Sequence, residues 1–347
     1  MNKFKFLTAA AALTLMLTAC GDEESTKTEK TTETTEQAAT SNGDAQASMF
    51  PMTVSSLTAT AEDSEAGTST TFEDVTLEEQ PQRIVALDYG FLDTLDALGV
   101  EGIVGVAANG GKGNMPEQLK EKYVNKEGIA DVGTLKELDL EAIAAAEPDV
   151  IFISGRQTSY YEELKEITPN VIFIASDNKN YVDGLYESVD LAAKIFGKEE
   201  KAEELKAAFQ EKVDAVKEKA AGYENALVAM YSEKKVSGFD NGKDSRFAYV
   251  YNDFGFAPAT TGIDTSSHGS DFSFESILKV DPEVLLVIDR GANEEVAKAD
   301  VENDIIKKTS AYKNGKIVYL DGITWYFSSG GITTEAAKID EILNELK

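Results

Sequence analysis

Arginine is scarce in this chain and unevenly placed. Only Arg83, Arg156, Arg246 and Arg290 occur, and the other fixed positive charges are lysines. Two of the four close two versions of one phrase. Residues 138–156 read LDLEAIAAAEPDVIFISGR and residues 272–290 read FSFESILKVDPEVLLVIDR, so a shift of 134 positions lays Glu141 on Glu275, Pro148 on Pro282 and Arg156 on Arg290. An arginine after a strand is ordinarily a surface residue paired with a carboxylate; the duplication is what favours an anion site. A guanidinium is always charged, forks onto two oxygens and stacks on rings, which suits a flat, oxygen-rich anion. Arg246, in DSRFAYVYNDFGF beside Phe247, Tyr249 and Tyr251, is the third candidate.

Other side chains limit the chemistry further. His268, in IDTSSHGSDF, is the single histidine and Cys20 the single cysteine. That set excludes most bare zinc or copper sites, although His268 could give one nitrogen to iron that a ligand already coordinates. TWYFSSGG (324–331) sets Trp325 and Tyr326 before a Gly/Ser turn; aromatic residues there fit a core role as well as a site, and a phenolate is a good hard donor for ferric iron. There is no GxSxG, P-loop, GxGxxG after a strand or HExxH. NGGKGN (109–114) lacks the Lys-Ser/Thr ending of a phosphate loop and reads as a flexible loop. Glu141 and Glu275 each fall in the first turn of an expected helix, where a carboxylate favours the dipole. As a matched, exposed pair they would also fit basic sockets on a two-fold symmetric partner.

The elements that must position these residues alternate. RIVALD (83–88) is a buried strand and FLDTLDALGV a helix stopped by Gly99; GIVGVA, VIFISG and VIFIAS are strands, with a helix near 160–167 between the last two. NALVAMYS, APATTG, the second copy of the phrase and KIVYLDG rebuild that alternation, which means mostly parallel sheets with helices on their faces. MTVSSLTATAEDSEAGTSTTFEDVTL predicts a hairpin over 52–77. Between Val182 and Ala220 the chain is rich in Ala, Glu, Lys and Leu, with Gly197 ending one helix and a longer one following. The expected fold class is therefore α/β: two Rossmann-like lobes, 49–182 and 221–347, joined by a long linking helix over 183–220. In such sheets ligands bind beyond the strands' carboxyl ends, which would set Arg156 and Arg290 on facing walls of one cleft.

The start, MNKFKFLTAAAALTLMLTAC, reads as a secretory signal peptide over 1–19, its apolar run shorter than the roughly 20 residues of a spanning helix. LTAC before Gly21 predicts lipidation at Cys20. Residues 21–48 lack aromatic and branched aliphatic side chains and read as a solvated tether. A formal charge of -29, from 62 acidic and 33 basic residues, argues against nucleic acid and against attraction to anionic lipid.

Lipobox, tether, two lobes and linking helix together resemble a lipid-anchored substrate-binding protein of an ABC importer. The long interlobe helix is similar to the class III group, which binds ferric siderophores, haem and cobalamin. RIVALDYGFLDTLDALGV, DVGTLKELDLEAIAAAEPDVIFISGR and SFESILKVDPEVLLVIDR resemble its catecholate branch, the petrobactin- and enterobactin-type binders, over essentially residues 49–347. The resemblance implies that Arg156, Arg246 and Arg290 hold a trianionic ferric catecholate, and that Trp325 lies at the ligand. His268 and Tyr326 would reach iron only through a siderophore with open coordination sites. It further implies that Glu141 and Glu275 dock on the permease, that the lobes move little, and that the protein is a monomer with no enzymatic activity and no intrinsic cofactor. It would sit on the extracytoplasmic face of a cell membrane, a Gram-positive surface. A haem or corrinoid ligand is the alternative within transport; a surface-anchored enzyme or adhesin is the alternative outside it.

Overall fold

The computed structural model describes residues 49–63, 68–176, 180–243, 245–263, 270–291 and 293–346. His268, Cys20, the signal segment and the tether lie outside them. The hairpin forms as two nested ribbons, with β1 (Met52–Val54), β2 (Thr60–Asp63), β3 (Thr68–Thr71) and β4 (Val75–Leu77) pairing β1 with β4 and β2 with β3. It covers an open sheet edge. Leu57 N donates to the Phe173 carbonyl at 3.0 Å, Phe173 N donates to the Ser56 hydroxyl at 3.0 Å, and Phe72 stacks on Phe173 at 4.3 Å.

The first sheet has the order β7-β6-β5-β8-β9, all parallel. Its strands are β5 (Ile84–Ala86), β6 (Ile103–Val106), β7 (Ala130–Asp131), β8 (Val150–Ile153) and β9 (Val171–Phe173). They alternate with α1 (Tyr89–Ala97), α2 (Glu117–Tyr123), α3 (Leu140–Ala145) and α4 (Tyr161–Ile167). Strands buried on both faces read as unbroken apolar runs, which is why RIVA and VIFI were legible.

Two helices, not one unbroken rod, make the connection. These are α5 (Tyr181–Phe196) and α6 (Glu199–Ala220). Gly197 takes the left-handed φ of 61° that ends α5. Of the pair, α6 is about 33 Å long at 1.5 Å per residue. Its first half packs on α5 through Phe209 and Tyr186, with Lys206 bonded to Asp190; its second half reaches the last helix, where Lys212 bonds Asp340.

In the second sheet the order is β12-β11-β10-β13-β14, from β10 (Ala226–Ser232), β11 (Lys235–Phe239), β12 (Ser270–Phe272), β13 (Val284–Asp289) and β14 (Ile317–Asp321). Here β10, β13 and β14 are parallel, β11 runs against them, and β12, antiparallel to β11, returns to the direction of β10. Its helices are α7 (Ala248–Asn252), α8 (Phe274–Val280), α9 (Glu294–Val301), α10 (Ser310–Lys313) and α11 (Ile332–Glu345). APATTG forms no strand beyond one bridge between Pro258 and Ala226; KVSGF supplies β11 in its place.

The repeated phrase recurs in backbone detail. Asp139 and Ser273 cap α3 and α8 by accepting from Ala142 N and Ser276 N. Glu147 and Asp281, aligned before the prolines, both take positive φ, 46° and 50°. Asp149 accepts from Gln82 N and Arg83 N ahead of β5, and its counterpart Glu283 accepts from Glu224 N ahead of β10. The prolines and following acids thus fasten each unit to its neighbouring strand.

The last helix returns to the first lobe. Asp93 on α1 accepts from Thr333 N at 2.9 Å, Thr334 N at 3.0 Å and the Thr333 hydroxyl, so one lobe caps a helix of the other. Beside it, a Cβ on Gly90 would stand 2.3 Å from the Ser329 carbonyl oxygen. Glycine is what lets the two segments touch there.

Candidate functional site

In each sheet the chain leaves the central strand to one side and returns on the other, placing a topological switch point at β5/β8 and at β10/β13. Arg156 and Arg290 follow β8 and β13 at those two points. Arg156 sits half-buried in a short 3-10 turn, Gly155–Tyr160, fixed by buried Gln157. That side chain accepts from Ser154 N at 3.0 Å and donates to the Leu135 carbonyl at 2.5 Å. Arg290 is exposed, its backbone N–H bonded to the Tyr231 carbonyl at 3.1 Å. The carboxylate beside it, Asp289, accepts from Gly291 N and Asn293 N and so shapes the turn.

Arg246, in the loop before α7, completes the group. Its Cζ lies 4.0 Å from the ring centroid of Tyr326, and the Cζ of Arg290 lies 4.8 Å from the same centroid. Arg246 Nη2 also donates to the Tyr326 carbonyl at 2.5 Å. Burial holds the Arg246 guanidinium below its ordinary pKa, and the positive charge of Arg156 across the cleft lowers it further. Arg156 acts as well on Tyr89, whose hydroxyl burial pushes up to about 12. Arg246 thus stands between the other two, sharing the Tyr326 ring with Arg290 and feeling the charge of Arg156 from the other lobe. The ion pairs among the described residues are all made by lysines, and none includes these arginines. With 62 acidic residues available, that exclusion preserves three cations for something else.

Tyr326 is presented by a single π-helical turn, Ile323–Phe327, of the kind that recurs at functional sites. Trp325, expected at the ligand, is instead fully buried behind it. Its indole stacks on Tyr249 at 6.3 Å and donates to Glu341 Oε2 at 2.6 Å. Behind the turn lies a network that sequence reasoning missed. Lys338 and Glu335, both wholly buried, pair at 2.7 Å; Glu335 Oε1 also accepts from Tyr181 at 2.7 Å and Gly330 N at 2.9 Å, and Lys338 donates to Ser329 at 3.1 Å. Burial lowers the Lys338 pKa while the Glu335 charge opposes it, and burial raises Tyr181 and Tyr249 well above the ordinary phenol value. In sequence, Glu335 and Lys338 look like an ordinary solvated i,i+3 pair; nothing local marks them as interior.

Beside the arginines, a cavity of about 210 Å³ opens at the ends of β5, β8 and β9, lined by Asp88, Ser154, Tyr181, Ser188, Ser329 and Gly330. It adds hydroxyl-bearing room next to the charged group. Glu141 and Glu275 are exposed in the first turns of α3 and α8, which start beyond the carboxyl ends of β7 and β12. Arg83 takes no part, since its guanidinium caps the end of α3 through the Ala146 and Glu147 carbonyls. NGGKGN is held more firmly than a flexible loop, because Asp131 accepts from Ala108 N, Asn109 N, Gly110 N and Gly133 N around it.

Comparison with known proteins agrees with this architecture. Residues 84–324 match the model of the periplasmic binding protein family. The petrobactin-binding protein YclQ of Bacillus subtilis is 37% identical over 276 residues, 78% of this chain and 84% of its own. The ferric-anguibactin-binding protein FatB of Vibrio anguillarum is 34% identical over 275 residues, 77% and 83% of the two chains. The crystal structure of the catecholate-siderophore binding protein VctP of Vibrio cholerae superposes with TM-score 0.70 at 30% identity, covering 82% of this chain and 99% of that one. The chain belongs to the periplasmic binding protein family, in its two-lobed, helix-linked form.

Proposed function

We propose that this protein captures a ferric catecholate-type siderophore between its lobes and delivers it to an ABC importer. The observation that carries the reading is the pairing of Arg246 and Arg290 on the Tyr326 ring with the charge of Arg156 acting on Arg246 from the other lobe, the three being free of carboxylate partners among the described residues. A ferric tris-catecholate carries three negative charges and presents flat aromatic rings, so guanidiniums meet both its charge and its faces. The petrobactin and catecholate binders among its relatives support that choice. Tyr326, with His268, supplies the donors for iron when a siderophore leaves two sites open. The work is binding rather than catalysis, done by a single copy of the chain.

Lipid at Cys20 and the following tether would hold the body on the extracytoplasmic side of a membrane. None of the helices among the described residues is long and apolar enough to cross one. Glu141 and Glu275, matched in the repeat and exposed, are the contacts for the permease. The test is titration with iron-loaded and iron-free catecholate siderophore at neutral pH. The trianionic ferric complex should bind and the uncharged free catechols should not; equal affinity for both would refute the role of the arginines.

A further inference from the structure

Arg246 is covered by a ring of the protein's own. Tyr326 lies 4.0 Å from its Cζ, accepts from its Nη2 through the main-chain carbonyl, and is itself only 6% exposed. Phe247 adds a second ring at 5.8 Å. Arg246 thus uses its flat face and one donor on the protein, and Arg290 uses its face on the same phenol at 4.8 Å. An aromatic anion that is to stack on Arg246 must take the place of the Tyr326 ring. The turn carrying Tyr326 is π-helical, a rare form frequent at functional sites, and the buried Ser328 hydroxyl beside it has no hydrogen-bond partner among the described residues.

We propose that Tyr326 is an internal competitor for the aromatic-anion subsite on Arg246: its ring holds the subsite, and ligands bind there only when they outbid a phenol for two guanidiniums. Weak or non-aromatic anions, which recover no stacking, are rejected by this contact without any steric barrier. The proposal rests on reading the arginine cluster as an anion site and adds to it a threshold set by one residue.

Two measurements on the purified chain test it. The first uses no ligand: phenylglyoxal labelling of arginines, read by mass spectrometry. Arg290 should label readily and Arg246 slowly in the native chain, with Arg246 at least several-fold faster in Tyr326→Ala and unchanged in Tyr326→Phe. Fast labelling of native Arg246, or no change in Tyr326→Ala, overturns the proposal. The second measures binding of 2,3-dihydroxybenzoate, a single anionic ring without iron. Losing the competing cation–π contacts should tighten binding roughly tenfold in Tyr326→Ala, and Tyr326→Phe should match the native chain. Equal tightening in Tyr326→Phe would assign the effect to the hydroxyl and overturn the ring's role. Unmasked Arg246 with no benzoate binding in either chain would refute the aromatic-anion reading and, with it, the competitor. If Tyr326→Ala does not fold, Tyr326→Leu keeps apolar bulk without a π face and should show the same tightening.

Discussion

The two walls of the cleft are built on the same repeated unit and carry different equipment. On the first wall an all-parallel sheet ends in a single cleft arginine, Arg156, held by one buried glutamine. On the second, β11 runs against the other strands, and the wall gathers Arg246, Arg290 and the Tyr326 turn. The first wall rests on apolar strands; the second rests on a buried ion pair, two stacked tyrosines and a tryptophan. Duplication fixed where an arginine stands at the end of a strand, and the aromatic machinery was added to one copy. The lesson is that the repeat sets the frame, while the aromatic chemistry comes from segments outside it, the loop before α7 and the Tyr326 turn after β14.

That asymmetry can be broken most forcefully at the ion pair. Lys338→Met should destabilise the fold by about 3–5 kcal/mol, because it leaves the Glu335 carboxylate buried without its cation. The double change Glu335→Leu with Lys338→Met should recover most of that loss in chemical denaturation. If the single change proves harmless, the second wall does not depend on the pair. Next comes the arginine series, read as affinity for a ferric catecholate. Arg246→Ala, at a desolvated and stacked guanidinium, should cost about 2–4 kcal/mol. Half-buried Arg156 should cost less, and exposed Arg290 about 1 kcal/mol. A largest loss at Arg156 would mean that the first wall does the recognising. Smallest at the cleft is reversal of the outer charges: Glu141→Arg with Glu275→Arg should leave ligand affinity unchanged and abolish uptake through the permease. Lost affinity would make those glutamates structural.

Much of this could be read before any coordinates. Buried strands such as VIFI and VLLVID announce themselves by composition, and the repeat carried caps, prolines and arginines into register together. Gly197 marked the break between α5 and α6, although its consequence, a helical hairpin in place of one rod, depends on packing between Phe209 and Tyr186. Other features were illegible for physical reasons. Trp325 sits next to Tyr326 in sequence, yet a π-helical turn sends one into the core and leaves the other with the arginines, and no spacing rule separates them. Glu335 and Lys338 follow the pattern of a solvated pair, and only the return of α11 against α1, α6 and the Tyr326 turn, with Tyr181 over Glu335, buries them. Asp93 likewise looks like a surface helix residue until Thr333 and Thr334 arrive from the far end of the chain.

The most direct test of the central claim is a panel of ferric siderophores titrated against the emission of Trp325, the only tryptophan, one residue from the ring that the arginines hold. Ferric catecholates should quench it with saturating, tight binding, while ferric hydroxamates, which lack anionic aromatic rings, should leave it unchanged at the same concentrations. Equal quenching and equal affinity for both classes would contradict the account.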